Sequence, residues 1–427
     1  MNRRRLVAAL GTAVVMVGAS ACSGGSSGSA KGSASSYEGK KLVVWLMTGD
    51  DLPAWTASVK QQFEQQYPGA TVDFVTKQWT GIQATVTNAL SQITPPDIYD
   101  IGNTQTAYYA STGGLMDLDK YRTQLGGTDW TTSMNKSTLV NGKQFAAPWY
   151  AGSRAVMYNK SLWARAGLTP PDTMTEWLAD LAKLKQTAGV KSALYLPGQN
   201  WYAFDGFLQD AGADVLTQQG GRWAGDLASP AAIQAALLFK KLNAFGNAPT
   251  DQDESHPVQA TVFAKGDVAS MIAMGYEATT VVKANPKLAD DIGWFPIPGD
   301  SPGKPAKTFF GGSNLAVAEN SANPDLALGL LKIALNDTNE SMFAKQSGFL
   351  PNKAKLYPAL KGNDYATAAS KAAADAGYTP LVPNWGNVEI QPNPITTLFL
   401  TPVLQGKDPQ AAAVAADAKL VSRLSEG

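Results

Sequence analysis

The chain has 427 residues, and its 35 Lys and Arg balance 35 Asp and Glu, so the basic surplus of a nucleic-acid binder is missing. A hydrophobic share of 44% can build sizeable cores, and at about 150 residues per domain the length predicts about three domains. One cysteine, Cys22, and one histidine, His256, exclude an internal disulfide and argue against a dedicated transition-metal site, and no cofactor is expected.

The amino terminus reads as a secretion signal. Asn2-Arg3-Arg4-Arg5 is a basic region, residues 6–18 form an apolar run too short to span a bilayer, and Ala19-Ser20-Ala21 is a small-residue cleavage site. Cys22 follows directly, and the segment resembles a bacterial lipoprotein signal. Residues 1–21 are then the signal peptide, and an acylated Cys22 would anchor the mature chain at the outer face of the cell membrane. Ordinary secretion with cleavage after Ala21 is the alternative. Residues 22–37 form a tether, since 23–36 are almost entirely Ser, Gly and Ala.

Beyond the tether, Lys41 to Met47 is a nearly continuous apolar run, the pattern of a strand buried on both faces of a parallel sheet. The chain leaves its carboxyl end through Asp50 and Asp51, where open α/β sheets bind ligands, so Asp50 is a candidate contact and Asp51 a helix cap. Trp55, Val59 and Phe63 repeat on one face of the following helix. Residues 71–75 predict a second strand, 81–93 a helix, and 95–103 a third strand ending at Asn103. That residue is either a turn former or a donor–acceptor pair for hydroxyls. The alternation predicts a doubly wound α/β lobe.

Asn141-Gly142 then makes a hairpin-type turn into a short apolar run whose pairing should stop at Pro148, which has no N–H. Trp149, Tyr150 and Arg154 are placed on a loop leading to a second apolar run, 155–158. Their rings either meet a ligand or cover a sheet end. Thr173-x-x-Glu176 is a capping box, and Ser229-Pro230, Asn323-Pro324 and Asp408-Pro409 each open a helix. Between the later helices lie aromatic loops. Trp201 stands between Asn200 and Asp205, Tyr276 and Glu277 follow a strand-like 268–274, and Trp385 stands beside Gly386. Gly311 and Gly312, followed by Ser313, permit close backbone approach to a ligand, to packing neighbours or at a hinge.

In order, Pro96-Asp97, Gly114-Leu115, Asp117-Leu118, Gly142-Lys143 with Pro148, Tyr158-Asn159-Lys160, Pro171-x-Thr173-x-x-Glu176, Phe263 with Gly266 and Met271, Gly348-Phe349-Leu350-Pro351 and Val403-Leu404-x-Gly406-Lys407 form a progression. It resembles that of the extracellular solute-binding proteins of ABC sugar importers, the broad family that includes maltose-binding protein. The resemblance covers nearly everything from residue 37 on. It implies an α/β, two-lobed type II binding-protein fold with doubly wound sheets, joined by crossings near Pro148, Tyr276 and Asn339. The N-lobe would comprise residues 38–147 and 277–338, and the C-lobe 148–276 and 339–427. By position, the family's ligand contacts fall on Asp50, Asn103, Trp149, Arg154, Trp201, Tyr276, Glu277, Gly311, Gly312, Ser313 and Trp385. Many relatives carry Trp where Tyr276 stands, which reduces ring area at that subsite.

The implied function is capture of a di- or oligosaccharide by a monomer that delivers it to permease subunits served by a separate ATPase. A pyranose stacks its C–H face on Trp or Tyr and offers a rim of hydroxyls to Asp, Asn, Glu and Arg. Two rivals are a binding protein for another solute, such as a peptide, and a secreted glycosidase. The glycosidase needs two carboxylates about 5 to 9.5 Å apart, with Asp50, Asp205 and Glu277 as candidates. His256 lies in a polar loop that suits no Ser-His-Asp triad, and Gly303-Lys304 runs into Pro305 rather than a phosphate loop. The chain is therefore expected not to be an enzyme.

Overall fold

Nine strands carry the architecture: Lys41–Met47 (β1), Thr71–Lys77 (β2), Ile98–Gly102 (β3), Ala147–Ser153 (β4), Ala155–Asn159 (β5), Ser270–Ala273 (β6), Ile292–Phe295 (β7), Phe310–Val317 (β8) and Leu350–Pro351 (β9). They come from a computed structural model that describes residues 37–373 and 377–426. The signal, Cys22 and the rest of the tether through Ser36 lie outside the described residues. Tyr37, counted at the end of the tether, already packs its ring edge-on against Tyr67 at 5.2 Å.

The strands form two sheets. The larger, of six strands, runs β9-β4-β8-β3-β1-β2, with β1 parallel to β2 and β3, and β8 antiparallel to β3 and β4. The smaller, of three strands, runs β6-β5-β7, all antiparallel. Helices cover both, so each sheet has its own core. Trp55, Trp149 and Phe343 are fully buried beneath the first, and Trp163, Trp177, Phe204, Phe239 and Phe399 in the second lobe. Buried rings of this size dominate the energetics of each core. The predicted capping box is present, with Thr173 Oγ1 accepting from Glu176 N, and Ser229 and Asp408 cap the helices that begin with their prolines. Among the described residues no helix is long and apolar enough to cross a membrane.

Four expectations change. Pairing does not stop at Pro148, which lies inside β4. The ladder to β8 bulges there, with Ser313 opposite Tyr150 and Asn314 opposite Pro148, so Trp149 is the extra residue. The Pro148 carbonyl is taken by Asn352 Nδ2 at 2.7 Å. Asp51 does not cap the first helix, whose cap position is Leu52; its carboxylate accepts from Thr76 Oγ1 at 2.8 Å and from Gly49 N. The crossings also differ. Tyr276 opens a helix within the second lobe, and because β7 pairs with β5, the chain returns to the first sheet over residues 296–309. Finally, Asp337–Ser347 and β9 pack on the first lobe, since Phe343 and Phe349 belong to its core. The last crossing therefore follows the Asp364–Ala373 helix rather than Asn339.

Candidate functional site

Arg154 is the single residue between β4 of one sheet and β5 of the other. Its guanidinium donates to Glu254 Oε1 at 2.8 Å and lies 5.2 Å from the centroid of the Tyr202 ring. Tyr202 stands at the start of the helix Trp201–Asp210, stacked on Phe309 at 4.7 Å. Its hydroxyl donates to Glu389 Oε1 at 3.2 Å, an oxygen that also accepts from Trp385 Nε1 at 2.9 Å. Glu389 Oε2 accepts from Thr104 Oγ1 at 2.9 Å, and Thr104 leaves the carboxyl end of β3 in the opposite lobe. Burial pushes the Glu389 carboxyl up to about 7, against the hydrogen bonds that favour its charge.

Two rings remain open beside this polar seam. Tyr276 is 48% exposed, with Arg154, Glu254 and Asp50 among the charges that act on its hydroxyl. Trp79, just past the carboxyl end of β2, is 42% exposed. The seam thus combines flat apolar faces from both lobes with a guanidinium and carboxylates of the second, the chemistry that holds a ring-shaped polyhydroxyl compound. Among the described residues no cluster of His, Cys, Asp or Glu could hold a metal.

Of the residues expected here, Arg154 and Tyr276 face the seam and most others serve the framework. Asp50 is buried, accepts from the Tyr150 hydroxyl at 2.7 Å, and neighbours Asp100; burial and that second carboxylate push it well above the usual range. Asn103 spends its amide on the Phe310 carbonyl at 2.8 Å. Trp149 is fully buried, 4.8 Å from Trp55 and 4.4 Å from Phe343, because the bulge turns it into the first core. Trp201 and Trp385 belong to the second core, the latter reaching the seam only through its bond to Glu389. Glu277 caps its own helix, accepting from Met274 N at 2.9 Å and Gln259 Nε2 at 2.8 Å. Gly311, Gly312 and Ser313 lie within β8, all three paired with β4 and Ser313 with β3 as well, so their close approach serves the sheet. A Cβ on Gly312 would meet the Tyr150 carbonyl oxygen at 2.2 Å. Asp205, buried, accepts from Gln209 Nε2 at 2.8 Å. The three carboxylates considered for glycosidase chemistry therefore all have structural partners.

Similarity agrees with this geometry. The family described as bacterial extracellular solute-binding protein matches residues 48–340. The chain belongs to that family. Its members bind solutes, and this chain is a binding protein rather than an enzyme. It is 43% identical over 426 residues, 99% of each chain, to the diacetylchitobiose binding protein DasA of Streptomyces coelicolor. To the maltodextrin-binding protein MdxE of Bacillus subtilis it is 24% identical over 89% of each chain. Among solved structures, the GacH receptor of Streptomyces glaucescens, studied unliganded and with acarbose, superposes with a TM-score of 0.79 at 24% identity, over 91% of this chain and 99% of that one. The MalE sugar-binding protein of Xanthomonas citri gives 0.76 at 19% identity, over 91% and 98%. These likenesses establish the two-lobed type II binding-protein fold.

Sequence reasoning passed over Trp79, Tyr202, Glu254 and Glu389. Trp79 was within reach, since it follows a predicted strand at its carboxyl end.

Proposed function

We propose that this chain captures an N-acetylated amino-sugar disaccharide of the diacetylchitobiose type between its lobes and delivers it to the permease of an ABC importer with a separate ATPase. The observation that carries this reading is the 43% identity, end to end, with a diacetylchitobiose binding protein. The seam supports it: Trp79 and Tyr276 offer ring faces, and Arg154, Glu254 and Glu389 offer bonds to hydroxyls. Ligand contacts on both lobes favour the closed state, which presents the permease with one surface only when cargo is aboard. The protein acts as a monomer, held at the outer face of the membrane by acyl chains on Cys22.

Calorimetric titration and thermal melting of the chain from Tyr37 on, against diacetylchitobiose, cellobiose, maltose and peptides, test the reading. Ligand at a hundred times its dissociation constant should add about 2.7 kcal/mol of stability, with no hydrolysis on long incubation. If no sugar shifts either signal and a peptide does, the carbohydrate assignment is wrong. Metabolic labelling with palmitate should mark the wild type and leave Cys22→Ser unlabelled.

A further inference from the structure

Gln83 sits in the first turn of the helix Ile82–Leu90 of the first lobe, is 6% exposed, and has no hydrogen-bond partner on either its amide nitrogen or its amide oxygen. It faces the helix Trp385–Glu389 of the second lobe. A Cβ built on Gly386 would lie 2.6 Å from Gln83 Nε2 and 3.0 Å from Oε1, so the lobes meet there with the glutamine amide directly against the Gly386 backbone. Three residues along that helix, Glu389 makes its bond to Thr104. Buried polar groups are nearly always satisfied, and an amide empty on both atoms at the junction of two lobes marks a place where something else supplies the partners.

We propose that Gln83 is the specificity residue that reads an N-acetyl substituent of the sugar. This rests on the function proposed above and adds which group selects for it. A trans acetamido group carries its carbonyl and N–H on opposite edges, so one glutamine cannot take both. Gln83 Nε2 donates to the acetamido carbonyl, and Oε1 accepts from the hydroxyl on the next ring carbon. In this arrangement Gly386 packs directly against the amide, so the acetamido group reaches Gln83 as the lobes part from that contact. A sugar with a hydroxyl in place of the acetamido group does not reach far enough to fill both positions.

The test pairs Gln83→Met with four sugars: diacetylchitobiose, its two mono-N-acetylated forms, and cellobiose. Methionine keeps the volume and removes an unpaired amide, so the ligand-free melting temperature should stay level or rise. Wild type should bind diacetylchitobiose about 10- to 100-fold more tightly than one of the mono-acetylated forms. Gln83→Met should weaken diacetylchitobiose by a similar factor and bind that mono-acetylated form equally well, which erases the preference. Equal weakening of all sugars, no weakening, or a lowered ligand-free melting temperature overturns the assignment of Gln83 while leaving the cargo intact. Failure of the wild type to bind diacetylchitobiose overturns both the cargo and this inference.

Discussion

Thr104 of the first lobe donates its hydroxyl hydrogen to Glu389 of the second at 2.9 Å, and the acceptor is itself braced by Tyr202 and Trp385. The bond exists only while the lobes are together. Glu389→Ala should remove it and leave three donors without their acceptor, a loss of about 1–3 kcal/mol. Small-angle scattering should show a larger radius of gyration for the ligand-free variant than for the wild type. An unchanged radius would mean that closure does not depend on this pair.

Two tryptophans should respond in opposite ways. Trp149→Ala empties a fully buried site between Trp55 and Phe343 and should cost about 3–5 kcal/mol of stability, seen as a lower melting temperature. Trp79→Ala, at a half-open ring, should leave melting unchanged and weaken sugar binding by about 1 kcal/mol, roughly fivefold. Calorimetry on both variants checks the division.

Gly312→Ala would place a methyl 2.2 Å from the Tyr150 carbonyl oxygen and force β4 and β8 apart. About 1–3 kcal/mol of destabilisation is expected from denaturant titration. A neutral result would show that the ladder relaxes at the bulge.

Burial raises Glu277 to about 7 from 4.5, and Asp100 to about 6 from 3.8. Between the unfolded and folded values the folded chain holds more protons than the unfolded one, so these groups make stability fall as pH rises from about 4 to 7. The exposed acids lowered by lysine partners, such as Asp73 and Asp129, act in the opposite sense and only below about pH 4. Melting temperature should therefore be higher at pH 5 than at pH 8. Glu277→Gln should flatten that slope.

The two sheets differed in how readily sequence revealed them. β1 is a nearly continuous apolar run, and Thr173 with Glu176 carries its own hydrogen-bond logic, so local chemistry was enough. The site is harder because it depends on phase. Trp201 and Tyr202 are neighbours, yet one enters the second core and the other faces Arg154, a choice made when their helix docks on Phe309 and Trp385. Trp385 and Glu389 divide the same way one helical turn apart. Trp149 was misplaced because a bulge, which no periodicity announces, rotates it inward. Glu277 resembled a ligand contact because its adjacency to Tyr276 concealed its bonds to Met274 N and Gln259.

Arg154 is at once the junction between the sheets and a donor to the seam. Here any rotation of the lobes carries the guanidinium along an arc, so a substitution at 154 changes how far the molecule swings as well as what it holds. Redesign toward a different cargo is better begun at Trp79, Gln83 or Tyr276, where the grip can change while the joint stays fixed.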